Sequence, residues 1–198
     1  FSYPYLLRVT DSVNGGHSFI VRQESELEMA LSRLLSVQVN FNGIDSTMIC
    51  VEYLDTIDKD WDVNYCFRIH VSGDKVISGY ARVVDKEDWC AITGGKFNIK
   101  NKDSFIHFNK VCEQVCRDYE KEICEAVHAL GLNMQGVDVV INQENMKPYF
   151  LEVQPTYAVG YPKPEADRHS YCPPFWNPYD KPLVDFLVKE RGFLEKEL

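Results

Sequence analysis

The pattern of apolar and polar positions near the start of the chain predicts a hairpin followed by a helix. Residues 5–10 and 17–22 are short runs of strand-forming residues, and the polar, glycine-bearing segment 11–16 lies between them as a turn. From 24 to about 37 apolar residues recur at helical spacing, so that one face carries Leu27, Ala30, Leu31, Leu34 and Leu35.

The rest of the chain is predicted to contain five further strands and two further helices. The strands cover 47–54, 64–71, 75–84, 136–141 and 148–153. A long apolar stripe predicts a single helix from Phe105 to Leu130, ended by Gly131. A last helix is predicted over 181–196, after a loop rich in Pro, Tyr and Trp. This order of elements predicts an α+β fold with antiparallel sheets.

Composition and charge narrow the class of protein. The 198 residues suffice for one large domain or two small subdomains, and 45% apolar with 26% charged residues is typical of globular proteins. The net charge of −9 argues against binding to nucleic acid or to an anionic membrane surface. No apolar run approaches the roughly 20 residues that cross a bilayer. Because the first predicted strand begins close to Phe1, we expect an N-terminal portion to precede this chain.

The seven cysteines give little support to a metal site. No pair has the C-x-x-C spacing, so a zinc site is not indicated. Cys112, Cys116 and Cys124 recur at helical spacing within an apolar stripe, which is typical of buried core thiols. Reduced thiols of this kind predict a cytoplasmic protein.

Two carboxylates in apolar strands are the sharpest chemical signal. Asp138 and Glu152 lie in neighbouring predicted strands, and burying a carboxylate is costly unless it is paired or binds a metal. A divalent cation between them would relieve their repulsion, and magnesium prefers such oxygen ligands together with phosphate. Two alternatives stay open at this point: both side chains are exposed at strand ends, or a basic residue neutralises each of them.

The segment around these carboxylates, GVDVVINQENMKPYFLEVQPTYAVGY, resembles the ATP-grasp superfamily. In that family an Asp-bearing strand precedes a strand with Glu-x-Asn, and these residues ligate magnesium. The resemblance implies an ATP-grasp fold of two α+β subdomains that grip ATP, here 1–55 and 56–198. It also implies that Asp138 and Glu152 are metal ligands, with Gln154 at the Asn position. Gln154 departs from the family pattern, which puts a second magnesium in doubt.

Upstream, YLLRVTDSVNGGHSFIV resembles the family's strand, glycine loop and strand that close over the ATP phosphates. The resemblance implies that Arg8 takes the position of a phosphate-contacting Lys, with different reach. It also implies that Asn14, Gly15 and Gly16 bring backbone N–H groups to the phosphates. Without the resemblance, a Gly-Gly turn predicts only a hairpin.

The next stretch, MICVEYLDTIDKDWDVNYCFRIHVSGDKV, resembles the segment that holds adenine and ribose. Glu52, Tyr53 and Leu54 match the hinge whose backbone would bind the adenine edge. An acidic residue shortly afterwards is expected to hold the ribose, and Asp60 and Asp62 are both candidates.

Two arginines on consecutive strands, Arg68 and Arg82, resemble the family's phosphate- or substrate-facing arginines. The fork of an arginine suits the oxygens of an acyl phosphate. The plain alternative is that each is an ordinary charge on a strand surface. On the basis of the resemblance, Arg68 and Arg82 are the candidate catalytic residues.

The resemblance implies an ATP- and Mg²⁺-dependent ligase. In such enzymes a small-molecule or peptide carboxylate is activated as an acyl phosphate, which an amine or thiol then attacks. Three other functions stay open. The chain could be a non-catalytic nucleotide-binding or regulatory module on the same scaffold, or an α+β interaction domain with Asp138 and Glu152 as surface charges. A kinase-like phosphotransferase is the third, and the sequence lacks the kinase signature motifs.

Overall fold

The structure is a computed structural model that describes residues 2–10, 17–38, 47–86, 102–132 and 134–154. These residues fall into two compact units, the first ending at Asp55 and the second beginning at Thr56. Each unit has its own sheet and its own hydrophobic core. Within the described part of the chain, no helix is both long enough and apolar enough to cross a membrane.

The first unit is a three-stranded antiparallel sheet with a helix on one face. Its elements are β1 (Tyr5–Val9), β2 (Ser18–Val21), α1 (Glu24–Gln38) and β3 (Met48–Glu52). The strand order is β2-β1-β3, so β1 is the central strand. Alternate residues of β1, Tyr5, Leu7 and Val9, pack with Ala30 and Leu34 of the helix. The period-two pattern of β1 and the helical period of α1 therefore meet in one core.

The second unit is a five-stranded antiparallel sheet. Its strands are β4 (Ile57–Asp58), β5 (Val63–Ser72), β6 (Lys75–Asp85), β7 (Met134–Ile141) and β8 (Pro148–Gln154). β5 is central: β6 pairs along one edge of it, β7 and the short β4 pair along the other, and β8 pairs with β7. Every residue of β5 is buried, which is what a strand covered on both faces requires.

Two helices, α2 (Lys102–Asp118) and α3 (Glu120–His128), cover one face of this sheet. The prediction of a single helix from Phe105 to Leu130 is therefore wrong, because the helix breaks at Tyr119, whose φ and ψ are −121° and 21°. α3 ends at His128, two residues before the predicted end, and Gly131 follows it with the conformation expected of a C-terminal cap. Gly131 has a positive φ of 70°, and its N–H donates to the carbonyl of His128 at 2.8 Å.

Side chains from these helices satisfy N–H groups on β6. Asn109 of α2 accepts a hydrogen bond from the N–H of Ala81 at 3.1 Å and donates to the carbonyl of Phe105 at 2.8 Å. Glu120, at the start of α3, accepts from the N–H of Val76 at 3.0 Å. Buried backbone donors are costly when unpaired, so these contacts fix where the helices lie on the sheet.

The predicted strands are confirmed, with ends shifted by a few residues at most. β4 was not predicted, because two residues are too short to show a periodic pattern. The predicted helix over 181–196 and the loop before it lie outside the described residues.

Candidate functional site

The face of the large sheet opposite α2 and α3 carries polar side chains, and we call it the polar face. Residues 67, 69 and 71 of β5 point into the hydrophobic core, so the residues between them occupy the other face. On β5 these are Asn64, Cys66, Arg68, His70 and Ser72, and each is buried. Buried polar groups need partners, and the neighbouring strands supply them for Arg68 and His70.

A buried ion pair between Arg68 and Asp138 lies at the centre of the polar face. The two residues are direct cross-strand partners on β5 and β7. Arg68 Nε donates to Asp138 Oδ1, and Arg68 Nη2 donates to Oδ2 at 2.8 Å, so both carboxylate oxygens are engaged. The Asp138 side chain is fully buried and that of Arg68 is 7% exposed. The sequence left two alternatives to a metal ion open for Asp138: exposure at a strand end, or neutralisation by a basic residue. The structure shows the second, because Arg68 neutralises the carboxylate.

Gly136 gives the Arg68 side chain room to lie across β7. A Cβ atom at Gly136 would come within 3.1 Å of Arg68 Cδ and 3.4 Å of His70 Cδ2. Gly136 is the cross-strand partner of His70, next to the Arg68–Asp138 pair in the register. The glycine is thus a packing requirement of the ion pair.

Arg82 adds a second positive charge to the polar face. Its Nη1 lies 3.9 Å from Asp138 Oδ2, and its Nη2 donates to the Tyr80 hydroxyl at 3.4 Å. Burial acts to lower the pKa of Arg82, and the neighbouring Tyr80 and Asp138 outweigh it, so that the pKa is raised. Arg82 therefore stays charged. Two guanidinium groups face one buried carboxylate.

His70 lies beside these charges as a neutral ring. Its Nδ1 is 2.9 Å from the hydroxyl of Ser78, its cross-strand partner on β6. Burial, and then the positive charges of Arg68 and Arg82, lower the pKa of His70 to about 3. A protonated His70 would be a third cation in the same buried cluster.

Glu152 brings a second carboxylate to the polar face. It is the direct cross-strand partner of Asp138, and its neighbour Val153 packs against the core on the other side of the sheet. Glu152 is exposed, in contrast to Asp138. A β-bulge follows this pair, between Asp138 and Val139, and bulges are common beside functional sites. The backbone of Gln154 pairs with Gly136 on the same strand pair.

Magnesium is the ion that the ATP-grasp resemblance implies. Among the residues that the structure describes, no three His, Cys, Asp or Glu side chains form a complete metal site. Magnesium in nucleotide sites commonly takes one or two carboxylates and completes its shell with phosphate and water. The exposed Glu152 fits this requirement. Asp138 is a second carboxylate of the right chemistry, but it has no exposed surface, and Arg68 engages both of its oxygens.

In the first unit, Arg8 lies among apolar side chains on the face opposite α1. Its cross-strand partners are Ser18 and Ile49, and Leu6 of the same face pairs with Ile20 and Val51. Ile49 and Val51 are each 37% exposed, so this face offers apolar surface around one positive charge. A flat aromatic base and an attached phosphate would find both kinds of contact there.

The predicted hinge lies where β3 ends. Glu52 is the last residue of β3 and is exposed, while Tyr53 and Leu54 follow outside the strand and are half-buried. Burial, then Asp55, raises the pKa of the Tyr53 hydroxyl. The chain leaves the sheet here, so the backbone of Tyr53 and Leu54 does not belong to a strand ladder.

The two candidate ribose ligands lie in the turn after β4. Asp60 is exposed, and its N–H donates to Asp58 Oδ1 at 3.0 Å. Asp62 forms an ion pair with Lys86 at 2.8 Å and has a positive φ of 57°. Asp60 is the candidate without that ion pair. The predicted phosphate loop residues Asn14, Gly15 and Gly16 lie outside the described residues.

Sequence reasoning missed four contributors to the polar face: His70, Ser78, Tyr80 and Gly136. One signal was available, since polar residues alternate with apolar ones through β5 from Asn64 to Ser72. That period of two indicates a face distinct from the core. The partners on β6 and β7 follow only from the register.

Comparison of the sequence with known protein families and with curated proteins gives no match. Solved structures do match. The fold is similar to that of biotin carboxylase from Campylobacter jejuni, determined as a complex with β,γ-ATP, with a TM-score of 0.51 and 15% identity over 80% of this chain. The chain spans 32% of the length of that protein.

Two further solved structures are matched with lower scores. One is the biotin carboxylase domain of 2-oxoglutarate carboxylase from Hydrogenobacter thermophilus, with MgADP, ADP and bicarbonate: TM-score 0.47, 14% identity, 81% of this chain and 32% of that one. The other is a RiPP-associated ATP-grasp ligase from Chryseobacterium gregarium, with ADP and a leader and core peptide: TM-score 0.38, 17% identity, 76% of this chain and 40% of that one. The likeness to biotin carboxylase confirms the α+β, ATP-grasp fold predicted from the sequence.

Proposed function

We propose that this chain, which has the ATP-grasp fold, binds ATP with magnesium and uses it to activate a carboxylate for attack by an amine or a similar nucleophile. The observation that carries the proposal is the polar face. There two arginines, Arg68 and Arg82, lie beside two carboxylates in direct register, Asp138 and Glu152. This is the donor and charge pattern that suits phosphate and its metal.

Arg82 is the better placed of the two arginines to bind an anion. Its described partners, Tyr80 and Asp138, lie at 3.4 and 3.9 Å, which are long distances for a guanidinium. The side chain is 14% exposed, so it is partly accessible. We assign Arg82 to the negative charge that develops on the transferred phosphoryl group, since a fixed positive charge in a dry site stabilises it without reorganisation.

The first unit supplies the proposed contacts to the nucleotide. We assign Arg8 to a phosphate and the apolar side chains around it to the adenine ring. The backbone of Glu52, Tyr53 and Leu54 is proposed to bind the adenine edge, and Asp60 the ribose. Support comes from the strand end at Glu52 and from the exposed apolar face that carries Arg8.

Magnesium would be held by Glu152, with Gln154 two residues further on and Asp138 as the second carboxylate. When bound, the ion would neutralise phosphate charge and polarise the γ-phosphoryl group. The exposure of Glu152 supports its assignment as the principal ligand. The protein side chains would then position reactants and balance charge, without forming a covalent intermediate themselves.

The proposed reaction has two steps. In the first, an oxygen of the substrate carboxylate bonds to the γ-phosphorus of ATP, the bond to ADP breaks, and an acyl phosphate results. In the second, an amine attacks the acyl carbon, inorganic phosphate leaves, and the amine loses a proton. Arg68 and Arg82 would hold the acyl phosphate and exclude water from it.

The substrate is proposed to be a small-molecule or peptide carboxylate, with a separate nucleophile as co-substrate. A further portion of the protein is proposed to complete the active site, since the chain spans about a third of the matched biotin carboxylase from Campylobacter jejuni. The five cysteines that the structure describes are free thiols, which supports a reducing compartment such as the cytoplasm.

A non-catalytic nucleotide-binding module is the second candidate. One observation favours it: both oxygens of Asp138 are already engaged by Arg68. Such a module would bind Mg·ATP and leave it unhydrolysed in the presence of any carboxylate.

Hydroxylamine trapping separates the two candidates. The chain is incubated with Mg·ATP, a panel of carboxylates and hydroxylamine, which converts an acyl phosphate to a stable hydroxamate. A ligase gives ADP and hydroxamate in equal amounts with one class of carboxylate, and Glu152→Gln abolishes both. Binding of Mg·ATP by calorimetry without ADP or hydroxamate would identify the module instead. Absence of binding would refute both candidates.

A further inference from the structure

Arg68 engages both oxygens of Asp138, and a divalent cation bound to Asp138 would need at least one of them. The Arg68 guanidinium engages Oδ1 and Oδ2 of Asp138 together, in the bidentate geometry that is the strongest for this pair. The Asp138 carboxylate has no exposed surface, and Arg82 Nη1 lies 3.9 Å from its Oδ2. Because the carboxylate has no exposed surface in this arrangement, a magnesium ion reaches it only if Arg68 moves.

We infer that Arg68 and magnesium compete for Asp138, so that binding of the metal–nucleotide complex releases the Arg68 guanidinium from Asp138. This inference rests on the proposed function and deepens it. Arg68 becomes a positioning residue that holds the carboxylate in place. Once released, the guanidinium is available to the anionic substrate.

The charges on the polar face couple this exchange to the nucleotide. Arg68 and Arg82 carry two positive charges, Asp138 and Glu152 carry two negative charges, and His70 is neutral. Magnesium alone would add two positive charges next to two guanidinium groups, which is unfavourable in a buried site. The phosphates of a nucleotide bring negative charge that offsets it. The metal is therefore expected to displace Arg68 when it arrives with phosphate, and to bind poorly without phosphate.

Gly136 leaves the room that the Arg68 side chain occupies in the pair. Only the missing side chain at Gly136 lets Arg68 lie across β7, where a Cβ would come within 3.1 Å of its Cδ. The Arg68–Asp138 pair thus depends on its two hydrogen bonds and on the absence of a side chain at Gly136. A guanidinium that leaves Asp138 keeps its charge close to Glu152, which is opposite Asp138 in the register.

The first experiment measures the affinity for magnesium alone, by calorimetry, in the full chain and in variants. Arg68→Gln removes the competitor, so the affinity is expected to rise by about tenfold or more. Arg68→Lys, the matched control, keeps the positive charge and should show a smaller rise. The double variant Arg68→Gln with Asp138→Asn should lose the rise. Equal affinities of the parent and Arg68→Gln would overturn the inference.

The second experiment takes its readout from the parent protein, and a variant serves only to assign one resonance. The Nε–Hε resonance of Arg68 is followed by NMR, assigned by comparison with Arg68→Lys, during titrations with Mg²⁺ alone, ADP alone and Mg²⁺ with ADP. The inference expects a large shift only with metal and nucleotide together. A resonance that stays unshifted at saturating Mg·ADP overturns the competition and leaves the proposed function intact. If calorimetry shows that Mg·ADP does not bind at all, the proposed function and the competition fail together.

Discussion

The charge on Asp138 is predicted to stabilise the fold, and Asp138→Asn tests this directly. The substitution keeps the volume of the side chain and removes one of the two buried partners of the ion pair. Arg68, with a side chain only 7% exposed, would keep its charge without a full counter-charge. Removal of one partner of a buried pair typically costs about 3–5 kcal/mol of the free energy of unfolding. Arg82, 3.9 Å from the same carboxylate, loses its buried counter-charge as well, so we expect the upper part of that range.

Urea unfolding followed by far-UV circular dichroism, with EDTA present, measures this loss. Glu152→Gln is the matched control, because it makes the same chemical change on the direct cross-strand partner of Asp138. Glu152 is exposed, and loss of an exposed charge changes stability by about 0.5 kcal/mol or less. Equal losses from the two substitutions would refute the difference in environment on which the reasoning rests. A stabilised Asp138→Asn variant would show that Asp138 is repelled by a carboxylate more strongly than it is held by Arg68.

Three further predictions concern other parts of the second unit. Glu152→Gln should weaken Mg·ATP binding by about tenfold or more, because it removes the exposed ligand charge, and calorimetry in the presence and absence of Mg²⁺ measures the effect. Asn109→Ala should cost about 1–3 kcal/mol of stability, since it leaves the buried N–H of Ala81 unpaired, whereas the exposed Gln114→Ala should cost little. Burial lowers the pKa of His70 in the folded protein from 6.5 to about 3. Between these two pH values the unfolded chain binds a proton at this residue that the folded protein does not bind. The free energy of unfolding therefore falls as the pH is lowered from about 6.5 to 3. His70→Gln should remove this contribution, about 1.4 kcal/mol for each pH unit, from urea unfolding curves measured across the range.

The strands could be predicted from the sequence because their signals are local. Both faces of β5 are buried, yet polar residues alternate with apolar ones along it, and the turn at Gly73 separates it clearly from β6. The break at Tyr119 could not be predicted, because α2 and α3 continue one apolar stripe without a Pro or Gly between them. A contact from another element, Glu120 to the N–H of Val76, accompanies the start of α3. Periodicity within a segment contains no information about such a contact.

The partners within the candidate site could not be predicted for the same reason, because they lie on different strands. Asp138 and Arg68 were each singled out from the sequence, Asp138 for metal and Arg68 for phosphate. They are 70 positions apart in the chain, and only the register of β5 with β7 makes them partners. The assignment of Asp138 to magnesium stays a prediction. In the structure Arg68 engages both oxygens of this carboxylate.

Asp138 and Glu152 are alike as carboxylates and differ through their place in the sheet. β7 lies between β5 and β8, so Asp138 has Arg68 on one side and Glu152 on the other, whereas Glu152 lies on β8, the last strand of this side of the sheet. A buried carboxylate with a bidentate arginine is suited to fix the position of that arginine, and an exposed one is suited to receive a hydrated ion. The low pKa of His70 matters to both roles, because a proton on that ring would place a third cation beside Arg68. With His70 neutral, the charges of Arg68, Arg82, Asp138 and Glu152 sum to zero. The proposed magnesium–phosphate complex would then reach the edge where Glu152 lies without first overcoming an excess charge of either sign among these residues.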